Sequence, residues 1–203
     1  MKCLMAWFVR LLAASALFAV LPGFAAQTYP NKPIRLIIPF PPGGTADTIL
    51  RVLAQKLTES FAPQIVVDNR PGAGTIIATE IGARSNPDGY TFLAVSTAYT
   101  VNPSLYKKLP YDPHKSLLPV TLVAAAPNVL VINPSVPVSS IAELTAYAKA
   151  KPRQVNFGSA GNGTSTHLAG EMFKVMAKID ITHVPYKGDV PAVTDLISGQ
   201  IQM

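Results

Sequence analysis

Ile34-Arg-Leu-Ile-Ile38 runs straight into Pro39-Phe-Pro-Pro-Gly-Gly-Thr-Ala-Asp47, and this junction decides the fold. The first five residues are apolar enough, and β-branched enough, to read as a buried strand. Beyond the turn, Ala46, Ile49, Leu50, Leu53 and Leu57 recur at helical spacing and predict a helix over 46–60. A strand, a glycine-rich turn and a helix in that order form the opening unit of a parallel α/β sheet.

The rhythm continues outward. Ile65–Val67 reads as a short strand, Arg70-Pro-Gly-Ala-Gly-Thr75 as a second glycine-rich turn, and the residues to about Arg84 as a helix. Asn86-Pro-Asp-Gly89 is a turn signal and Tyr90–Val95 a third strand. Residues 101–119 break into polar, proline-containing loop. Strands are expected near Val120–Ala124 and over Asn128–Ile132, with a crossover between two halves near 124–128. In the second half, Ser139–Ala150 predicts a helix opened by the capping box Ser140-Ile-Ala-Glu143. Val155–Gly158 and Ile181–Pro185 read as strands, Thr164–Lys178 and Asp189–Ser198 as helices, and Ile201–Met203 as the start of another strand.

The chain has 203 residues, 49% hydrophobic and only 14% charged, so a sizeable core is expected and wholesale disorder is not. Lys2 and Arg10 precede the apolar run Leu11–Leu21, and small residues Gly23 and Ala25 follow it. That layout predicts a secretory signal over residues 1–25, too short for a membrane span, and hence a periplasmic destination. Cys3, the one cysteine, lies in that segment, so neither a disulfide nor a thiolate metal site is expected in the exported part. Without Lys2 and Arg10 the balance is 15 basic to 11 acidic side chains, a formal +4 in place of +6, and no short window is rich in Lys or Arg. A nucleic-acid footprint needs such a patch, which sets nucleic acid aside.

Three turns share one layout: Pro39–Asp47, Arg70–Thr75 and Gly158-Ser-Ala-Gly-Asn-Gly-Thr-Ser-Thr166. Glycines let backbone N–H groups approach a ligand, and a helix start favours an anion. Neither G-x-x-x-x-G-K-[ST] nor G-x-G-x-x-G occurs, so nucleotide phosphates are disfavoured. A carboxylate can be held by N–H and O–H donors alone. The alternative for each turn is that glycine serves a tight bend and the hydroxyl only caps a helix. Thr45 and Thr164 are candidate direct donors; Asp47 either orients its loop or complements the helix dipole. Ser96 and Thr97 close the third strand at its carboxyl end, where open α/β sheets bind ligands.

Catalytic signals are poor. His114, His167 and His183 share no metal spacing, and no G-x-S-x-G elbow exists, since Ser159 directly follows Gly158. The expectation is a binding protein with no enzymatic activity, no cofactor and no metal.

The strings YPNKPIRLIIPFPPGGTAD, VVDNRPGAGT, NPDGYTFL, NPSLYKKLPYDP, PNVLVINPS, SAGNGTSTHLAGE, HVPYKG and PAVTDLISGQI follow one another as in the Bug family. The chain resembles these TctC-type receptors of tripartite tricarboxylate transporters from about Tyr29 to its end. The resemblance implies an α/β fold of the type II periplasmic binding protein kind, two βα lobes closing on a small carboxylate. That ligand would be a dicarboxylate, a tricarboxylate or an amino acid, handed on to the transporter's membrane components. Carried over by position, the first-lobe loop is Phe40, Pro41, Pro42, Gly43, Gly44, Thr45 and Asp47. The second is Ser159, Ala160, Gly161, Asn162, Gly163, Thr164 and Ser165. Ser96 and Thr97 match a further ligand-facing stretch, and Tyr186 sits near the rim; Lys187 reads either as a countercharge for the anion or as a solvated loop lysine, and the second reading is preferred.

The expected organisation is a signal at 1–25, lobe 1 at 26–124 and lobe 2 at 125–203. The resemblance stops within a strand, so both lobes are expected to lack their C-terminal return. A ligand-dependent partner of a sensor kinase ectodomain, or a truncated receptor without function, are the competing readings.

Overall fold

The computed structural model describes residues 29–61 and 63–203; the expected signal at 1–25 lies outside them. Lys32–Met203 groups as one unit carrying two sheets. In the first sheet, β1 (Ile34–Ile38) lies between β2 (Ile65–Asn69) and β3 (Thr91–Leu93), both parallel to it. The register runs from Ile34 opposite Ile65 to Ile38 opposite Asn69 on one side, and from Arg35 opposite Thr91 to Ile37 opposite Leu93 on the other. Helix α1 (Thr45–Phe61) crosses from β1 to β2, and α2 (Ile76–Ala83) crosses from β2 to β3. Central β1 is apolar on both faces because both are covered: Ile37 and Ile38 are fully buried. Leu36 and Ile38 pack with Leu50 and Ala54 of α1, and Leu53 packs beside them; Leu50 and Leu53 belong to the stripe read from the sequence, Ala54 does not.

The second sheet pairs β4 (Asn156–Ser159) in parallel with β5 (Thr182–Pro185), joined by α5 (Ser165–Ala177). Its core gathers Val155, Phe157, Ile179 and Ile181 with Ala148 of α4 (Ile141–Ala150). A final helix, α6 (Asp189–Ile197), packs on β4. Gly170 of α5 makes room for the Phe157 ring, since a Cβ there would lie 2.2 Å from it. Ser140 caps α4 as its sequence predicts, accepting from the Glu143 N–H at 3.2 Å. The Glu143 carboxylate returns the contact to the Ser139 N–H at 2.6 Å.

Three regions depart from the sequence expectation. Residues 97–105, read as strand end and loop, form helix α3 (Thr97–Leu105). Pro103 suggested a break, but it stands in the last turn, where its missing N–H forfeits a single helical bond. Buried Asn102 fixes the helix by donating from its amide to the Gly74 carbonyl at 3.0 Å. Second, neither Val120–Ala124 nor Asn128–Ile132 forms a strand. Both lack regular structure and are largely exposed, Leu122 at 83% and Val129 at 78%, because no neighbouring strand among the described residues pairs with them. Third, Ile201–Met203 is not a regular strand, although it follows β4 closely. The Gly158 N–H donates to the Met203 carbonyl at 2.8 Å, and the Gln202 and Met203 N–H groups both donate to Asn156 O at 3.1 Å.

Candidate functional site

The parallel strands of each sheet end on the same side as their glycine-rich turns, and the turns of the two sheets meet. A Cβ built on Gly188, which precedes α6, would lie 2.4 Å from Pro41 Cδ; one on Gly74 would lie 2.8 Å from the Asn162 carbonyl oxygen. One on Gly163 would lie 3.2 Å from Asn102 Oδ1. These backbones touch because glycine leaves out the side chain at each crossing.

Between them lies a cavity lined by Pro39, Phe40, Gly72, Ala73, Gly74, Thr75, Ala160, Tyr186 and Lys187. Its volume is about 20 Å³, room for roughly one water.

The first turn is organised by a carboxylate. Asp47, 2% exposed in α1, accepts from the Gly43 N–H and from Arg51 Nε, each at 2.9 Å, and from Asn69 Nδ2 at 2.8 Å. Asn69 also donates to the Phe40 carbonyl at 2.9 Å, tying the turn to the end of β2. Burial alone would raise the Asp47 pKa; the bonds from Arg51, Gly43 and Asn69 outweigh it and hold the carboxyl below its ordinary range. Asp47 is thus the clasp of its own loop. Gly43 adopts φ 86° with open space around it, and Gly44 is buried near Asp189 and Val190. Thr45 is exposed at the first position of α1.

The second turn is organised by hydroxyls and imidazoles. Ser159 Oγ, at the end of β4, lies 2.7 Å from His183 Nε2 and accepts from the Gly161 N–H at 3.2 Å. Thr164 caps α5 and donates to the Gly161 carbonyl at 2.6 Å, while the Ala160 N–H donates to Thr166 Oγ1 at 3.0 Å. The Gly163 N–H donates to His167 Nδ1 at 3.1 Å, and the His167 ring stacks on His183 with centroids 4.2 Å apart. Ser165 donates to Asn128 Oδ1 at 3.1 Å. Burial, then the neighbouring His167 and Lys174, push His183 down to about 4. At neutral pH His183 is uncharged and shares one hydrogen bond with the Ser159 hydroxyl. The pair has the spacing of a nucleophile and base, yet Ser159 is 2% exposed and its hydroxyl is spent inside the turn.

Of the residues expected to bind ligand, Phe40, Ala160 and Tyr186 line the cavity directly. Tyr186 contributes its ring, because its hydroxyl donates to Asp195 Oδ2 at 2.6 Å. Desolvation and that carboxylate push it up to about 12. Pro41, Gly44, Asn162 and Gly163 stand at the contact between the two sides, while Gly161 packs against the Tyr186 carbonyl of its own side. Ser96 accepts from the Ala98 N–H at 3.3 Å as the cap of α3, and Thr97 is exposed beside it; neither lines the cavity. Lys187, read as a solvated loop lysine, is exposed and also lines the cavity. Gly72–Thr75 was recognisable as a third turn of the same layout but had not been placed among the ligand-facing residues. The repeated strand–glycine–helix order was the signal that pointed to it.

Comparison with known proteins agrees with this architecture. The tripartite tricarboxylate transporter family receptor, TctC, matches residues 49–203. Protein BugT of Bordetella pertussis is 42% identical over 198 residues, covering 95% of this chain and 61% of its own length. Among solved structures, R. palustris Rpa4515 with adipate superposes with a TM-score of 0.83 at 37% identity, over 86% of this chain and 58% of the other. MatC from Rhodopseudomonas palustris with bound malate gives 0.79 at 28% identity, over 86% and 60%. The chain thus spans about three fifths of the length of the relatives it matches. On the match over residues 49–203, the chain belongs to the TctC family of tripartite tricarboxylate transporter receptors.

Proposed function

We propose that the protein is an extracytoplasmic, periplasmic receptor that captures a small carboxylate and presents it to the membrane components of a tripartite tricarboxylate transporter. The observation that carries this reading is the cavity where glycine-rich turns from two parallel sheets face each other. Open α/β sheets take ligands at the carboxyl ends of their strands, which is where these turns stand. Two of the structural relatives hold adipate and malate, both dicarboxylates. Residues 26–124 and 125–203 then act as two lobes that part to admit ligand and close over it, with Pro41–Gly44 and Asn162–Gly163 along the seam.

A receptor of this kind needs no buried countercharge of its own. Neutral donors release an anion on opening without leaving an unpaired charge behind. Isothermal titration with malate, adipate, citrate and aspartate tests the reading. The expected result is saturable binding of at least one of them, with the ligand recovered unchanged. Turnover of the ligand, or no heat from any of the four, would refute it.

A further inference from the structure

We propose that the turn Gly72–Thr75 is a ligand-gripping element, with the Thr75 hydroxyl donating to one oxygen of the bound carboxylate and the Lys187 ammonium supplying the charge opposite it. The inference rests on the carboxylate-receptor reading above and names groups that reading leaves out.

Thr75 lines the cavity, is 4% exposed, and its Oγ1 has no hydrogen-bond partner. A buried hydroxyl without a partner is rare, because its lost hydration goes uncompensated. The usual employment for a threonine here would be to cap α2. Thr75 stands at that position, but its side chain makes no cap bond. The reason is its backbone: φ 74°, ψ −2°, where a capping residue is extended. The neighbouring Thr79 hydroxyl bonds to the Thr75 carbonyl and leaves the Thr75 hydroxyl alone.

That backbone is itself costly. Ala73, Gly74 and Thr75 have φ values of 48°, 57° and 74°, three successive left-handed residues of which only one is glycine. For a β-branched side chain this conformation is a genuine outlier, and such strain persists where surrounding contacts over-determine it. Here those contacts are visible. Asn102 holds the Gly74 carbonyl from one side, and Gly74 packs against Asn162 on the other. The strained turn is held rigid with its hydroxyl unspent.

Several other polar groups near the cavity are committed elsewhere. The N–H groups of Gly43, Gly161 and Gly163 bond to Asp47, Ser159 and His167, and the Tyr186 hydroxyl bonds to Asp195. Lys187 makes no ion pair among the described residues. A buried hydroxyl and a lysine without an ion pair among the described residues, both lining one small cavity, suit an anion with two acceptor oxygens, and a carboxylate is that group.

Titration of the wild type, Thr75→Val, Thr75→Ser, Thr75→Gly and Lys187→Met with malate and adipate tests this. Thr75→Val, which keeps shape and loses the donor, is expected to weaken binding by about tenfold or more, and Thr75→Ser to stay within about threefold. Thr75→Gly relieves the left-handed strain, so its ligand-free Tm rises while its affinity falls like that of the Val variant. A merely structural threonine would not separate those two readouts. Lys187→Met is expected to lose affinity and to flatten its dependence on salt. Wild-type affinity in Thr75→Val or Thr75→Gly would overturn the proposal while leaving the receptor reading intact. A wild type that ignores every carboxylate would overturn both.

Discussion

The two glycine-rich turns that face each other are built from the same sequence layout and fastened by opposite chemistry. Turn 39–47 hangs on one buried carboxylate, Asp47, which gathers a backbone N–H, an arginine and an asparagine. Turn 159–166 hangs on hydroxyls and two stacked imidazoles. The glycines differ as well: Gly43 looks into open space, whereas a Cβ on Gly161 would meet the Tyr186 carbonyl at 3.0 Å. A strand–glycine–helix turn in a sequence therefore predicts shape. Its fastening, and the donors left for a ligand, depend on side chains supplied by other elements.

The difference can be broken directly. Asp47→Ala strips the acceptor from three donors at once and is expected to cost about 3 kcal/mol, against about 1.5 kcal/mol for Ser159→Ala, where only neutral bonds are lost. Denaturant melts of the two variants measure both. Equal losses would mean that the charged clasp adds nothing over the neutral one. The glycines give the next largest contrast. Gly161→Ala is expected to cost about 2 kcal/mol, from a positive φ together with a close backbone contact, and Gly43→Ala about 1 kcal/mol from φ alone. Matching melts for that pair would show that the contact at Tyr186 yields easily.

Much of this was legible in the sequence, for physical reasons that differ by element. Apolar period and helix caps are local, so β1, α1 and the Ser140–Glu143 box could be read from residues near one another. Pairing is not local. Ser159 and His183 meet because parallel β4 and β5 set Phe157 opposite His183, and no spacing rule announces that register. Residues 117–132 are apolar enough for a central strand, but strand formation needs a neighbour, and none of the described residues provides one. Helix α3 escaped because Pro103 outweighed a capped start at Ser96 and the buried anchor at Asn102. At the site itself, the unspent hydroxyl of Thr75 depends on a backbone angle that composition does not reveal.

The two clasps also separate by pH. His183 titrates near 4 in the folded chain and near 6.5 when unfolded, so between those values the unfolded chain binds more protons. Stability therefore falls as pH drops from about 6.5 to about 4, and His183 adds nothing further below that. Asp47 is depressed below its ordinary 3.8, so its contribution is present above that value and is lost as pH falls through the folded one. Tm against pH should show both phases, with His183→Gln flattening the upper and Asp47→Asn the lower. If either variant alone flattened both, the two turns would not be fastened independently.

The central claim is that the seam between the turns is a carboxylate site. Differential scanning fluorimetry of the protein against malate, adipate, citrate and aspartate tests it most directly. The account predicts a saturable rise in Tm with at least one of them, by mass action on the folded chain, and a reduced rise in Thr75→Val. A cooperative melt that no carboxylate moves at any concentration would contradict it.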